Sequence, residues 1–72
     1  MNNLSVDLGS VQYVYYVDDL ENDKAYTVTI AEDVNIGYEL ITINDDEGEG
    51  IAPASEIGEK LLEAVRSYEK RN

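Results

Sequence analysis

Cysteine and histidine are both absent from this 72-residue sequence. Without cysteine the chain can form no disulfide, and it offers neither a thiol nucleophile nor a thiolate ligand for zinc. Without histidine it lacks the side chain that most often acts as a general base near neutral pH. No segment approaches the roughly 18 apolar residues of a membrane span, and residues 1–9 lack the basic and apolar regions of a signal peptide. We therefore expect a cytoplasmic protein without a cofactor.

Basic residues are scarce as well: five Lys and Arg stand against 16 Asp and Glu, and the formal net charge is -11. Nucleic acids and anionic membranes are normally bound through a basic patch, so we expect direct binding to neither. The hydrophobic fraction of 43% is too high for a charge-rich disordered chain. The sequence thus predicts one small folded domain over residues 1–72, near the lower size limit for a core without disulfides.

Alternating apolar and polar residues, rich in Val, Ile and Tyr, predict β-strands. The predicted strands cover residues 10–17, 25–31 and 38–43, with a short return strand at 51–52 and an extended segment at 4–8. Gly9 and Ser10 form either a bulge in a longer first strand or a turn. The two faces of the third strand are ambiguous, because Leu40 is in step with Tyr38 and Ile41 with Ile43.

The C-terminal part of the chain has the pattern of an amphipathic helix from Glu56 to Lys70. Ser55 is a good N-cap, and acidic residues in the first turn and basic residues in the last suit the helix dipole. Gly58 is expected to weaken this helix by roughly 1 kcal/mol relative to Ala. The predicted fold class is α+β: an antiparallel meander of three or four strands with one C-terminal helix packed on one face.

In such a meander, the loop after the first strand and the turn after the third strand lie at the same end of the sheet. Both are rich in carboxylates, and Lys24 is the only base expected near them. We call this set of eight residues the acidic end; it comprises Asp18, Asp19, Glu21, Asp23, Asp45, Asp46, Glu47 and Glu49.

Several functions could use this charge. A flexible acidic loop can bind Ca²⁺, but residues 45–49 lack the alternating ligands and the distant Glu of an EF-hand loop. Paired carboxylates can act as acid and base, yet so small a domain has little room for a pocket of roughly 300 Å³ or more. We therefore expect neither a metal site nor enzymatic activity. The acids could also be solvated turns that only keep the protein soluble.

A further interpretation is that the acidic end imitates the phosphates of a nucleic acid. In size, acidity and simple α+β pattern, the sequence resembles the small phage-encoded inhibitors of host defence, including anti-CRISPR proteins and other DNA mimics. The resemblance covers overall character and no specific motif. It implies a non-enzymatic inhibitor in the host cytoplasm that occupies the basic surface of a nucleic-acid-handling host protein.

Tyrosine is the second feature that suggests binding to another protein. Exposed Tyr offers a large rigid contact area with a polar tip, although cross-strand packing is the ordinary role of Tyr in a sheet. Tyr16, on the strand face opposite Tyr13 and Tyr15, is the candidate for a contact with a partner. The alternative function is a structural or regulatory interaction module, homodimeric through a free sheet edge or the open Tyr face.

Overall fold

The computed structural model of the chain describes residues 3–6 and 8–71. Within this part of the chain, four antiparallel strands lie in the order β1-β2-β3-β4 and are followed by one helix. The elements are β1 (Ser10–Asp19), β2 (Lys24–Asp33), β3 (Tyr38–Asp45), β4 (Gly50–Ile51) and α1 (Glu56–Arg71). The predicted α+β meander with a C-terminal helix on one face is confirmed.

The strand register decides which side chains lie under the helix. Val28 at the centre of β2 pairs with Tyr15 of β1 and with Ile43 of β3, and alternate residues of all three strands share that face. The helix completes the core with Leu61 and Val65, which are 6% and 2% exposed. The other buried apolar side chains are Tyr26, Val28, Ile30 and Ile43.

The same register resolves the two faces of β3. Ile41 and Ile43 lie on the helix side with the core, whereas Tyr38 and Leu40 lie on the opposite side and are 60% and 56% exposed. The face of the sheet without the helix is called the open face below.

The helix begins where the sequence predicts it. The Ser55 hydroxyl accepts a hydrogen bond from the Gly58 amide (3.1 Å) and donates one to the Ala52 carbonyl (2.6 Å), which is N-cap geometry. Gly58 is buried, and a Cβ at this position would collide with the carbonyl oxygens of Ala52 and Pro53. The expectation that Gly58 only weakens the helix is therefore incomplete, because the missing side chain lets the helix approach the segment after β4.

Polar contacts attach the second half of the helix to the sheet. The Tyr15 hydroxyl donates to Glu69 (2.7 Å), and Arg66 bridges Glu69 and Glu39 of β3 at 3.1 Å each. The Tyr15 and Tyr68 rings meet edge to face, with centroids 6.2 Å apart. The hydrogen bond to Glu69 raises the pKa of Tyr15 to about 12 and lowers the pKa of Glu69. These contacts fix the direction of α1 along β1.

The predicted extended segment at 4–8 does not join the sheet. Its described apolar residues, Leu4, Val6 and Leu8, are 83%, 94% and 66% exposed, and Asp7 lies outside the described residues. Gly9 accepts a hydrogen bond from the Val34 amide (3.2 Å), and β1 starts directly after it without a bulge or a turn.

Candidate functional site: the acidic end of the sheet

The turn between β1 and β2 is built around Asp19. One carboxylate oxygen accepts the backbone amides of Glu21 (3.1 Å) and Asn22 (3.2 Å), and the other accepts the Asn22 side-chain amide at 2.8 Å. Hydrogen bonding from Asn22 lowers the pKa of Asp19. Asp23 takes the left-handed conformation that ends the turn, with φ 54°. Asp19 therefore has a structural role in the acidic end.

Asp45 has the same role in the turn between β3 and β4. Its carboxylate accepts the amides of Glu47 (2.9 Å) and Glu49 (2.8 Å), and Gly48 supplies the positive φ, 85°. Asp33 organises the turn at the opposite end of the sheet in the same way, through the amides of Asn35 and Ile36. In all three turns, the last residue of the strand is an Asp that caps the amides after it. Sequence reasoning missed these roles, although an Asp at a predicted strand end signals them.

The two turns lie side by side, as the meander predicts. Asp18, Asp19 and Asp23 of the first turn line an open hollow of about 360 Å³ together with Asp46 of the second. Lys24 lies in the same hollow. Four of the eight predicted acidic residues thus meet at one spot on the end of the sheet.

The other predicted site residues are more spread out. Glu47 and Glu49 are exposed in the second turn and are not part of the lining of this hollow. Glu21 points toward the helix, where it lines a separate hollow of about 680 Å³ with Asp19, Glu56 and Lys60. The eight residues of the acidic end therefore form a rim along this end of the sheet and not a single cluster.

The start of the helix contributes to this rim, which sequence reasoning did not anticipate. Glu56 lies in the first turn of α1 beside Glu21, and it is paired with Lys60 at 3.8 Å. Lys60 is thus a second base at this end of the sheet, where Lys24 alone was expected. The meander itself gives the signal, because β3 ends at the acidic end and the short return strand leads the chain only a little way from it before α1 begins.

The chemical character of the rim is that of solvated carboxylates. All eight side chains are exposed or half-buried, and no polar or charged side chain of the described residues is buried. Across residues 3–6 and 8–71, no three acidic side chains are grouped so that they could hold a metal ion. Nor does this part of the chain contain a helix with the length and apolar character needed to cross a bilayer. Because its carboxylates are exposed or half-buried, the rim can offer negative charge to a binding partner.

Tyr16 lies away from the rim, on the open face. It is 81% exposed, and its neighbours across the sheet are Thr27 and Asn44. Val14 and Leu40 add partly exposed apolar area on the same face. The open face is thus neutral over its centre, with carboxylates only toward its ends.

Comparison with known proteins gives no relative for this chain: no family model, no curated protein and no solved structure matches it.

Proposed function

We propose that this protein is a non-enzymatic binding protein that occupies the basic, nucleic-acid-binding surface of a host protein, as phage-encoded inhibitors of the anti-CRISPR or DNA-mimic type do. The observation that carries the proposal is the meeting of two acidic turns around Asp18, Asp23 and Asp46. Most of the acidic-end carboxylates form no hydrogen bond or ion pair with another described residue, so their charge remains available to a partner.

The number of charges sets the size of the surface that can be covered. Duplex DNA carries one negative charge per roughly 1.7 Å of helix axis, so eight carboxylates equal the charge on about 14 Å of duplex. That length is about four base pairs. The basic surface that these charges match is therefore about this long, and Lys24 offsets one of the eight acidic charges.

Long-range attraction favours rapid association with such a surface. Charge complementarity can raise the association rate well above the roughly 10⁵–10⁶ M⁻¹s⁻¹ of uncharged partners, and salt removes the advantage. Direct binding to nucleic acid or to an anionic membrane would be opposed by the same field.

Competition with DNA tests the proposal. Purified DNA-binding proteins of the host would be loaded with labelled duplex, and this chain added at increasing concentration in about 50 mM and about 300 mM NaCl. We expect displacement of the duplex from at least one protein, with an affinity that falls at least tenfold at the higher salt. Displacement that does not depend on salt would contradict the proposal.

Two double variants locate the binding surface. Asp46→Asn/Glu47→Gln removes two charges from the acidic end without touching Asp19 or Asp45, which hold the turns. Glu59→Gln/Glu63→Gln removes the same charge from exposed positions of α1. We expect the first variant to weaken displacement several-fold more than the second, and equal effects would show that only net charge matters.

The second candidate function is an interaction module that uses no mimicry, and the exposure of Tyr16 favours it. A contact centred on this ring would depend on apolar area and little on salt. Tyr16→Ser would then abolish binding while the acidic-end variant binds normally. The opposite pattern supports the proposed mimic.

A further inference from the structure

The outer edge of β1 lacks the usual protection of an edge strand. Natural sheets protect their edges with charges, Pro, bulges or very short strands. Residues 10–17 contain neither a charge nor Pro, and β1 pairs with β2 without interruption from Ser10 to Asp19. The opposite edge of the sheet consists of the two-residue β4 and of residues 38–42 of β3, which pair with no further described strand and include the charged Glu39. In a chain with 29% charged residues, a run of eight uncharged residues on a free edge is a distinctive surface.

A groove runs along this edge between β1 and the helix. Consecutive β1 residues from Val14 to Asp18 form one wall, and Ala64, Val65 and Tyr68 of α1 form the other. The groove has a volume of about 450 Å³. A strand added beside β1 would therefore gain apolar contacts with α1 as well as main-chain hydrogen bonds.

We propose that a second copy of this chain occupies the edge, with the two β1 strands antiparallel about a two-fold axis at Val14. The sheet then has eight strands, with both helices on one face. If the helix faces of the two copies lie on the same side of the joined sheet, an even-numbered residue of β1 must pair with an even-numbered residue of the partner's β1. The residue on the two-fold axis then pairs with itself, and Val14 is near the middle of the uncharged run. This register places Tyr13 opposite the partner's Tyr15 and Val11 opposite the partner's Val17, pairings that stabilise antiparallel strands.

The register also covers exposed residues that the monomer leaves without a role. Leu8 falls opposite the partner's Leu20, and these side chains are 66% and 90% exposed. Gln12 falls opposite the partner's Tyr16, which is 81% exposed. Both pairs lie on the open face, so this register reduces the exposure of apolar groups there, while the Tyr13 and Tyr15 pairs lie on the helix side.

Charge placement is compatible with a second copy despite the net charge of -11. The acids of β1 lie only at its C-terminal end, where Asp18 would face the partner's Ser10 and Asp19 the partner's Gly9. The two Asp18 residues would then be about 27 Å apart along the paired strands, at ~3.4 Å per residue. This is several times the Debye length of about 8 Å at physiological ionic strength. Closer to each other are the partner's Asp18 and Asp33 of the first copy, because both lie beside Ser10, and they would be about 10 Å apart across the strands. This distance is near the Debye length, so the repulsion between the copies weakens as salt is added.

The size of the contact is that of a weak, reversible interface. A paired segment about 30 Å long on a molecule 18 Å thick buries roughly 500 Å² per copy, or roughly 1,000 Å² in total. Interfaces of this size are at the small end of the specific range. We expect a dimer with a dissociation constant in the micromolar range, which strengthens as salt is added.

Sedimentation of the full chain tests this, from about 5 µM to about 500 µM in about 150 mM and about 500 mM NaCl. Val14→Lys places two like charges directly opposite each other at the axis and should weaken the dimer at least tenfold. Thr42→Lys is the matched control, because Thr42 lies in the same row of the open face, across Thr29 from Val14. This variant should associate like the wild type, and circular dichroism of both variants would check that the fold is kept.

Cross-linking gives an independent test of the register. The chain contains no cysteine, so Val14→Cys introduces a single thiol. A short bis-maleimide should link two copies through Val14→Cys and should not link Thr42→Cys. A monomer at all concentrations and both salts, or equal effects at Val14 and Thr42, would overturn the proposal. This result is separate from the proposed function, because partner binding should weaken with salt and respond to Asp46 and Glu47 instead.

Discussion

At the scale of single residues, Gly58 is the glycine at which an added side chain has least room. We expect Gly58→Ala to lower the free energy of unfolding by about 1–3 kcal/mol, because the new methyl group meets the carbonyl oxygens of Ala52 and Pro53. The higher helix propensity of Ala, worth about 1 kcal/mol, offsets only part of this. Urea denaturation measures the difference. Gly9→Ala is the control, since its Cβ would meet nothing within 4 Å.

Asp45 and Asp46 are adjacent and both acidic, yet they should respond differently to substitution. Asp45→Ala removes the acceptor for the amides of Glu47 and Glu49, and we expect it to cost about 1 kcal/mol of stability. Asp46→Ala removes the same charge and breaks no hydrogen bond with any described residue, so we expect no loss of stability. Thermal unfolding of the two variants decides this, and equal losses would show that the carboxylate of Asp45 does not hold the turn.

At the scale of elements, the sequence predicts the helix and the strand order well because both depend on local patterns. The helix runs from Glu56 to Arg71 against a prediction ending at Lys70. The sequence could not predict which face of β3 is buried, because both faces are apolar and only the pairing with β2 decides which one lies under the helix. It also could not predict the hydrogen bond between Tyr15 and Glu69, since these residues are 54 positions apart.

The juxtaposition of the acidic turns, by contrast, follows from topology alone. Any up-and-down meander brings the β1–β2 and β3–β4 connections to one end, so Asp18 and Asp46 could be placed together before the register was known. Charge alone could not predict which of these acids hold the turns through hydrogen bonds and which are exposed to solvent. Asp19 and Asp45 differ from their neighbours only in occupying the last position of a strand.

The contact between α1 and β1 should depend on pH through Glu69. Its pKa is lowered from the usual 4.5, first by the Tyr15 hydroxyl and then by Arg66. A lowered pKa in the folded state means that the contact contributes its full stability above the ordinary pKa and loses it as the pH falls through the folded value. We expect Glu69→Gln to be less stable than the wild type at pH 7, with the difference shrinking below about pH 4.5.

Urea denaturation between about pH 7 and about pH 3 measures this difference. Protonation of the other carboxylates affects both proteins and cancels in the comparison. Glu63→Gln is the matched control, because Glu63 is exposed on the same helix and makes no hydrogen bond or ion pair with any described residue. A difference for Glu69→Gln that stays constant over the whole range would contradict the role assigned to the Tyr15 contact.

At the scale of the whole molecule, salt separates three processes that all involve the net charge of -11. Binding to a basic partner gains from attraction, so salt should weaken it. Pairing of two β1 edges brings like charges together, so salt should strengthen it. Folding also concentrates like charges, since the compact chain holds its carboxylates closer together than the unfolded one.

We therefore expect added NaCl to stabilise the fold. From about 10 mM to about 300 mM NaCl, the Debye length falls from about 30 Å to under 8 Å, which screens repulsion across the molecule. The ion pairs of Arg66 and Lys60 are partly or fully exposed, so their screening costs little. The urea midpoint should rise with NaCl. It should also rise in Val14→Lys, whose dimer is weakened, because the effect comes from the fold and not from association. The rise should be smaller for Asp46→Asn/Glu47→Gln, which carries two fewer negative charges. If the urea midpoint of the wild type falls as NaCl is added, local ion pairs outweigh the general repulsion.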